Sequence, residues 1–157
     1  MNLAERLQTA MQSAIRDRDE LRRDTLRMVV AAAYNAEKAA HRPLTDDELL
    51  GVLVREVKTR RESVEAFRNG GREEMAAKEE REIGILTEYL PQQMDEAELR
   101  AMVAAAIDRS GAQTARDLGK VMAILSPQTR GRADGKTVSG IVAQELAKRD
   151  LAAHDHP

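Results

Sequence analysis

The feature that most constrains the fold is an apolar residue at about every third or fourth position along nearly the whole chain. That spacing places apolar side chains on one face of an α-helix. A half-buried strand needs alternation at every second position, and such alternation is absent. Glycine, proline and helix-capping residues interrupt the period at intervals. The sequence therefore predicts an all-α fold.

Four helices are predicted for an N-terminal domain that spans residues 1–91. They cover about residues 3–18, 19–40, 46–68 and 72–90. Asn2 is a suitable cap for the first helix, and Thr45 with Glu48 has the spacing of a capping box at the start of the third. The apolar face of the first helix is predicted to comprise Leu3, Leu7, Met11 and Ile15.

Helices three and four are predicted to form a long antiparallel hairpin. The Asn69-Gly70-Gly71 run separates them, because glycine accepts the left-handed conformation that often ends a helix. If the hairpin is centred near Gly70, facing residues lie at similar distances in sequence on either side of it. Leu53 then faces Leu86, and Val57 faces Ile83.

The same arithmetic places Arg60 on the apolar side of the hairpin, opposite Glu79 or Glu80. One interpretation is a structural ion pair between Arg60 and one of these carboxylates. The other is a ligand or RNA surface that Arg60 forms together with Lys58 and Arg61. The acidic character of helix four favours the ion pair, since it neutralises the basic face of helix three.

A smaller C-terminal domain of three helices is predicted for residues 95–150. The helices cover about residues 95–110, 114–125 and 136–149, with a loop over 126–135. Asp95 and Thr114 are the predicted caps, and Gly111 is the predicted end of the first of the three. Residues 151–157 are expected to form a frayed tail.

Composition excludes several classes of protein. Cysteine is absent, which excludes disulfides and thiolate metal sites, and three aromatic residues are too few for a base-stacking platform. No apolar run approaches the ~18 residues that a membrane helix needs. We therefore expect a cytoplasmic protein that has no membrane partner.

Residues suited to catalysis or metal binding are scarce. The histidines are His41, His154 and His156, and the last two fall in the predicted tail without a third ligand nearby. No phosphate loop, dinucleotide-binding motif or zinc helix motif is present. The sequence predicts no catalytic residue, no metal site and no cofactor.

A cation-rich segment is the strongest candidate for binding. Residues 116–136 contain five basic residues and two acidic ones, a local excess of three positive charges in a chain whose net charge is −2. A glycine-bearing loop that enters a helix N-terminus favours phosphate or carboxylate. The alternative is ordinary capping of that helix by Asp134 or Gly135. The candidate RNA- or phosphate-binding residues are Lys120, Arg130, Gly131, Arg132, Gly135 and Lys136.

Several motifs, taken in order, resemble the YqeY family across about residues 2–147. They are Asn2–Leu7, Leu26–Val29, Arg55–Ser63, Glu82–Gln93, Asp117–Met122 and Gly131–Lys136. The resemblance implies an all-helical protein whose C-terminal part is similar to the tail domain of GatB, one of the subunits of the tRNA-dependent amidotransferase. It therefore implies a tRNA-facing role for the segment around Lys120 and for the Gly131–Lys136 loop.

The resemblance also bears on activity and partners. A label of carbon–nitrogen ligase with glutamine as amido donor would rest on the shared tail domain alone, since the amidotransferase active sites lie in other domains. We expect a tRNA-binding or accessory module without intrinsic catalysis. The alternative is a protein–protein adaptor without direct RNA contact. The implied partners are tRNA, the amidotransferase or an aminoacyl-tRNA synthetase.

Overall fold

The computed structural model describes residues 1–154, in which seven α-helices and one short 3-10 helix form and no β-strand is present. The all-α prediction is confirmed. The α-helices are α1 (Leu3–Arg16), α2 (Glu20–Ala40), α3 (Asp46–Asn69), α4 (Glu73–Thr87), α5 (Glu96–Ser110), α6 (Leu118–Thr129) and α7 (Gly135–His154). The 3-10 helix, Ala115–Asp117, leads directly into α6.

The chain divides into two compact units, and each has its own apolar core. Unit 1 is Met1–Pro91 and contains α1 to α4, whereas unit 2 begins at Gln92 and contains α5 to α7. The fully buried large side chains of unit 1 are Leu7, Leu26, Val29, Leu53 and Leu86. Those of unit 2 are Val103, Ile107, Val121, Leu125, Val138, Val142 and Leu146.

Side chains cap three of the helices at their predicted starts. Asn2 Oδ1 accepts a hydrogen bond from the amide of the third residue of α1, and Asp95 does the same at the start of α5. At α3, Thr45 and Glu48 form the predicted capping box, with each side chain bonded to the other residue's backbone N–H at 3.1 Å. These bonds satisfy backbone donors that have no partner within the helix.

The α3–α4 hairpin forms, but its turn is centred one residue later than the sequence predicts. Gly70 has a φ of −87°, and Gly71 is the left-handed residue, with a φ of +74°. Moving the centre by one residue moves each facing partner by two. Accordingly Ile85 is buried together with Val57, while Ile83 is only half-buried.

The predicted face of α1 is correct only in its first half. Leu3 and Leu7 are buried, whereas Ile15 is 48% exposed and its neighbour Ala14 is buried instead. α1 ends at Arg16, so Ile15 lies in its last turn. Within residues 1–154, no helix is long and apolar enough to cross a membrane.

Two helix ends in unit 2 lie beyond their predicted positions. α6 continues through Pro127 to Thr129, although Pro127 has no N–H to donate to the carbonyl of Ala123. The loop before α7 is therefore shorter than residues 126–135. α7 continues past residue 149 to His154, so residues 151–154 of the predicted tail are helical, and residues 155–157 lie outside the described residues.

Candidate functional site

The first candidate site is a buried arginine inside the hairpin of unit 1. Arg60 is only 4% exposed, and its guanidinium contacts two carboxylates. Nε donates to Glu82 Oε2 at 3.1 Å, and Nη1 donates to Glu56 Oε2 at 2.8 Å and to the Glu56 carbonyl at 3.1 Å. Nη2 lies 3.5 Å from the sulfur of Met28 on α2. Every nitrogen of the guanidinium therefore has a protein partner.

The structure corrects the predicted partner of Arg60. The carboxylate across the hairpin is Glu82 rather than Glu79 or Glu80, which agrees with a turn centred at Gly71. Glu80 instead pairs with Arg68 at 2.7 Å.

The two basic residues that were predicted to join Arg60 lie elsewhere on α3. Lys58 is exposed, and Arg61 lines a shallow groove of about 260 Å³ together with Val64, Glu80 and Ile83. Lys58 and Arg61 therefore do not form a common surface with the buried guanidinium of Arg60.

Glu79 remains close to this cluster but in a different role. Burial, followed by the negative charge of Glu82 and a hydrogen bond with it, raises the pKa of Glu79, while the charge of Arg60 opposes the rise. Within the described part of the chain, no group of three or more histidine or carboxylate side chains is arranged to hold a metal ion. The cluster thus has the chemistry of an internal charge network.

The second candidate site is the loop between α6 and α7 in unit 2, residues 130–134. Gly131 is buried and has a φ of +75°, a conformation that glycine adopts without strain. The amides of Arg132 and Ala133 both donate to the carbonyl of Thr129, at 2.8 and 3.0 Å. The loop therefore continues directly from the end of α6 as a tight turn.

The loop is also bonded to the first residues of unit 2, across about 40 residues of sequence. Gln93 Nε2 donates to the Gly131 carbonyl at 2.7 Å. Arg132 Nε donates to the Gln92 carbonyl at 3.0 Å, and the Met94 amide donates to the Arg132 carbonyl at 2.9 Å. We call these three hydrogen bonds the clasp. The sequence does not predict them, because no local pattern connects residues so far apart.

A carboxylate already occupies the N-terminus of α7. Asp134 Oδ2 accepts from the Thr137 hydroxyl at 3.1 Å and from the Thr137 amide at 3.4 Å, and the Asp134 carbonyl accepts from the Val138 amide. Asp134 therefore caps α7, which is one of the two caps that the sequence suggested. The other, Gly135, is the first residue of the helix. A phosphate at this loop would therefore contact side chains in place of the helix amides.

The structure places Lys120, Arg130 and Lys136 with exposed side chains, while Arg132 is half-buried and Gly131 buried. Lys120 lies in the first turn of α6, near Asp117. Hydrogen bonds from the amides of Gln113 and Thr114, and then the charge of Lys120, lower the pKa of Asp117. Three of the predicted site residues are thus exposed cations, whereas Gly131 and Arg132 are partly or fully buried within the loop.

The fold and these two sites define a small helical protein of two units, with a charged interior in one and a cation-bearing loop in the other. The family described as "Yqey-like protein" matches residues 4–146, nearly the whole chain. The chain belongs to this family.

Two fungal proteins are similar to the chain. One, from Pyrenophora tritici-repentis, is named altered inheritance of mitochondria protein 41, mitochondrial; it is 30% identical over 137 residues, covering 85% of this chain and 75% of that protein. The other is an uncharacterized protein of Schizosaccharomyces pombe, 34% identical over 68 residues, covering 43% of this chain and 55% of that protein. Neither name mentions RNA or an enzymatic activity.

Proposed function

We propose that the protein is a tRNA-binding accessory module without its own active site, related to the tRNA-dependent amidotransferase. Its contact with tRNA is made by the side chains of Lys120, Arg130 and Lys136. The observation behind this proposal is that these exposed cations lie on and beside a loop whose backbone is held by hydrogen bonds. The contacts are to phosphates, which position an RNA and carry little sequence information.

The resemblance to the amidotransferase tail domain is the reason for proposing tRNA as the RNA that is bound. The Asp117–Met122 and Gly131–Lys136 motifs are similar to the GatB tail domain of the amidotransferase, which is associated with tRNA contact. The carboxylates of the Arg60 cluster take part in an internal charge network, which favours a binding role over a glutamine-dependent ligase activity for this cluster. Amidation of Glu-tRNA by the purified chain alone would contradict the non-catalytic proposal.

The test is a titration of tRNA across a salt series with a charge-removal variant and a matched control. The test variant is Arg130→Ala with Lys136→Ala, and it leaves Arg132 and the clasp in place. The control is Arg109→Ala with Lys148→Ala, which also removes one arginine and one lysine from unit 2. These two residues adjoin the ion pair of Asp108 with Arg149, toward the far end of α7.

We expect the test variant to bind tRNA more weakly and to lose about one unit of salt slope per contact removed. The control keeps the slope of the intact chain. Equal slopes for the test variant and the control would contradict the assignment of the loop. Absence of binding by the intact chain at low salt would contradict the tRNA proposal as a whole.

A protein–protein adaptor is the second candidate, and exposed apolar side chains on α2 favour it. Met28 is 55% exposed and Tyr34 is 60% exposed, and both lie on the solvent side of that helix. Methionine and tyrosine are common at binding surfaces. The variant Tyr34→Ala, which leaves the contact between Met28 and Arg60 in place, would weaken binding to the amidotransferase or a synthetase under this alternative, and would leave tRNA binding unchanged.

The cytoplasmic location stays a prediction. One similar protein is named mitochondrial, and the part of the chain that the structure describes has no helix suited to crossing a membrane. Fractionation of cells that produce the full chain would decide the compartment.

A further inference from the structure

The clasp holds the first residues of unit 2 against the loop that carries Arg130. It uses one side-chain amide, one guanidinium and one backbone amide, and each bond ends on a backbone carbonyl. Two of the carbonyls belong to the loop itself, at Gly131 and Arg132. The clasp therefore acts on the loop's main chain, and none of its three bonds uses the side chain of Lys120, Arg130 or Lys136.

We infer that Gln93 and Arg132 are positioning residues, which fix the loop in one conformation before an RNA is bound. This inference rests on the proposed function. A loop that is already ordered loses less conformational entropy on binding, so a polyanion binds it more tightly for the same number of charge contacts. Gly131 contributes through its left-handed backbone conformation, in which its carbonyl accepts the hydrogen bond from Gln93 Nε2.

Gln93 allows a test that does not alter charge. Gln93→Ala removes the 2.7 Å bond to the Gly131 carbonyl and leaves every lysine and arginine of the loop in place. A matched control is Gln113→Ala, since Gln113 is also an exposed glutamine outside the helices of unit 2. The backbone amide of Gln113 bonds to Asp117 and is retained in the variant.

The first measurement is amide hydrogen exchange in the full chain. Gln93→Ala is expected to speed exchange of the Met94 and Ala133 amides by about three- to tenfold, the effect of losing one typical hydrogen bond. The amides of Val103 and Ile107 in the core of unit 2 keep their protection, which shows that the unit remains folded. Unchanged exchange at Met94 and Ala133 would overturn the inference.

The second measurement is the tRNA salt series with the same variants. Gln93→Ala is expected to weaken binding by about three- to tenfold while the salt slope stays that of the intact chain. A contact residue would lower the slope, so an unchanged slope marks a positioning role. Intact-chain affinity in Gln93→Ala would overturn the inference and leave the proposed function standing. A failure of the intact chain to bind tRNA would instead overturn the proposed function, and the positioning role with it.

Discussion

The two units use a central arginine in opposite ways. In unit 1, Arg60 is buried and its charge is neutralised by Glu56 and Glu82. In unit 2, Arg132 is half-buried at the surface, where Nε bonds to the carbonyl of Gln92. Arg60 forms ion pairs with two carboxylates inside unit 1, whereas the side chain of Arg132 holds a backbone carbonyl beside the α6–α7 loop of unit 2. We therefore expect the loss of Arg60 to destabilise unit 1 more than the loss of Arg132 destabilises unit 2.

The largest effect is expected from breaking the charge balance of unit 1. Arg60→Met leaves Glu82 buried without its cation and should lower the free energy of unfolding of unit 1 by about 3–5 kcal/mol. Both tyrosines of the chain, Tyr34 and Tyr89, lie in unit 1, so tyrosine fluorescence during urea unfolding reports on that unit.

The double variant Arg60→Met with Glu82→Leu is the control for that experiment. It removes both charges of the buried pair, so most of the lost stability should return. If the double variant is as unstable as Arg60→Met alone, the cost lies in packing, and the charge-balance account of unit 1 is wrong.

The next effect concerns two glycines of the same segment in unit 2. Gly131→Ala places a side chain at a φ of +75° and should destabilise unit 2 by about 1–2 kcal/mol. Gly135→Ala lies at the start of α7 with no atom near its new methyl group, and should be neutral or stabilising by up to about 1 kcal/mol. Amide exchange of α5 and α7 core residues measures both. A similar loss in both variants would show that the left-handed geometry is unimportant.

A smaller effect is expected when the substitution made at Arg60 is made at Arg132. Arg132→Met removes one hydrogen bond to a backbone carbonyl and leaves no buried charge behind, so unit 2 should lose about 1 kcal/mol. Exchange of amides in α5 to α7 measures this loss, while the tyrosine signal of unit 1 should not change. If Arg132→Met destabilised unit 2 as much as Arg60→Met destabilises unit 1, the proposed difference between the two arginines would be wrong.

The smallest effect is a pH dependence in unit 1. The pKa of Glu79 is higher in the folded state than in the unfolded chain. Its protonation therefore contributes fully to the stability of unit 1 at a pH below the unfolded-state pKa, and this contribution is lost as the pH rises through the folded-state pKa. Glu79→Gln should therefore make unit 1 more stable than the intact chain at neutral pH and leave little difference at pH 4. Unfolding curves at both pH values test this, and the opposite order would contradict the account.

Local sequence signals predicted the helices and several of their ends. The capping box of Thr45 with Glu48 was predictable because both partners lie within four residues. The partner of Arg60 was placed wrongly because a shift of one residue in the turn, from Gly70 to Gly71, changes every facing pair by two. Pro127 predicts an early end to α6, because proline cannot donate a backbone hydrogen bond within a helix, but α6 continues two residues beyond it.

The candidate site was predictable in its residues and unpredictable in its geometry. The cluster of cations from Lys120 to Lys136 is visible in composition, and so is Asp134 as a possible cap. The clasp connects Gln93 to Gly131, 38 residues away in the chain, through a main-chain carbonyl that carries no side-chain signature. Such pairing is set by tertiary packing, so a single sequence does not reveal it.

The most direct test of the central claim is an amide NMR titration of the intact chain with tRNA at low salt. The claim is that unit 2 contacts RNA through its loop and that unit 1 does not. We expect chemical-shift changes in residues 118–136 and none on the exposed side of α2 around Met28 and Tyr34. Changes confined to that side of α2, or no changes at all, would contradict the account.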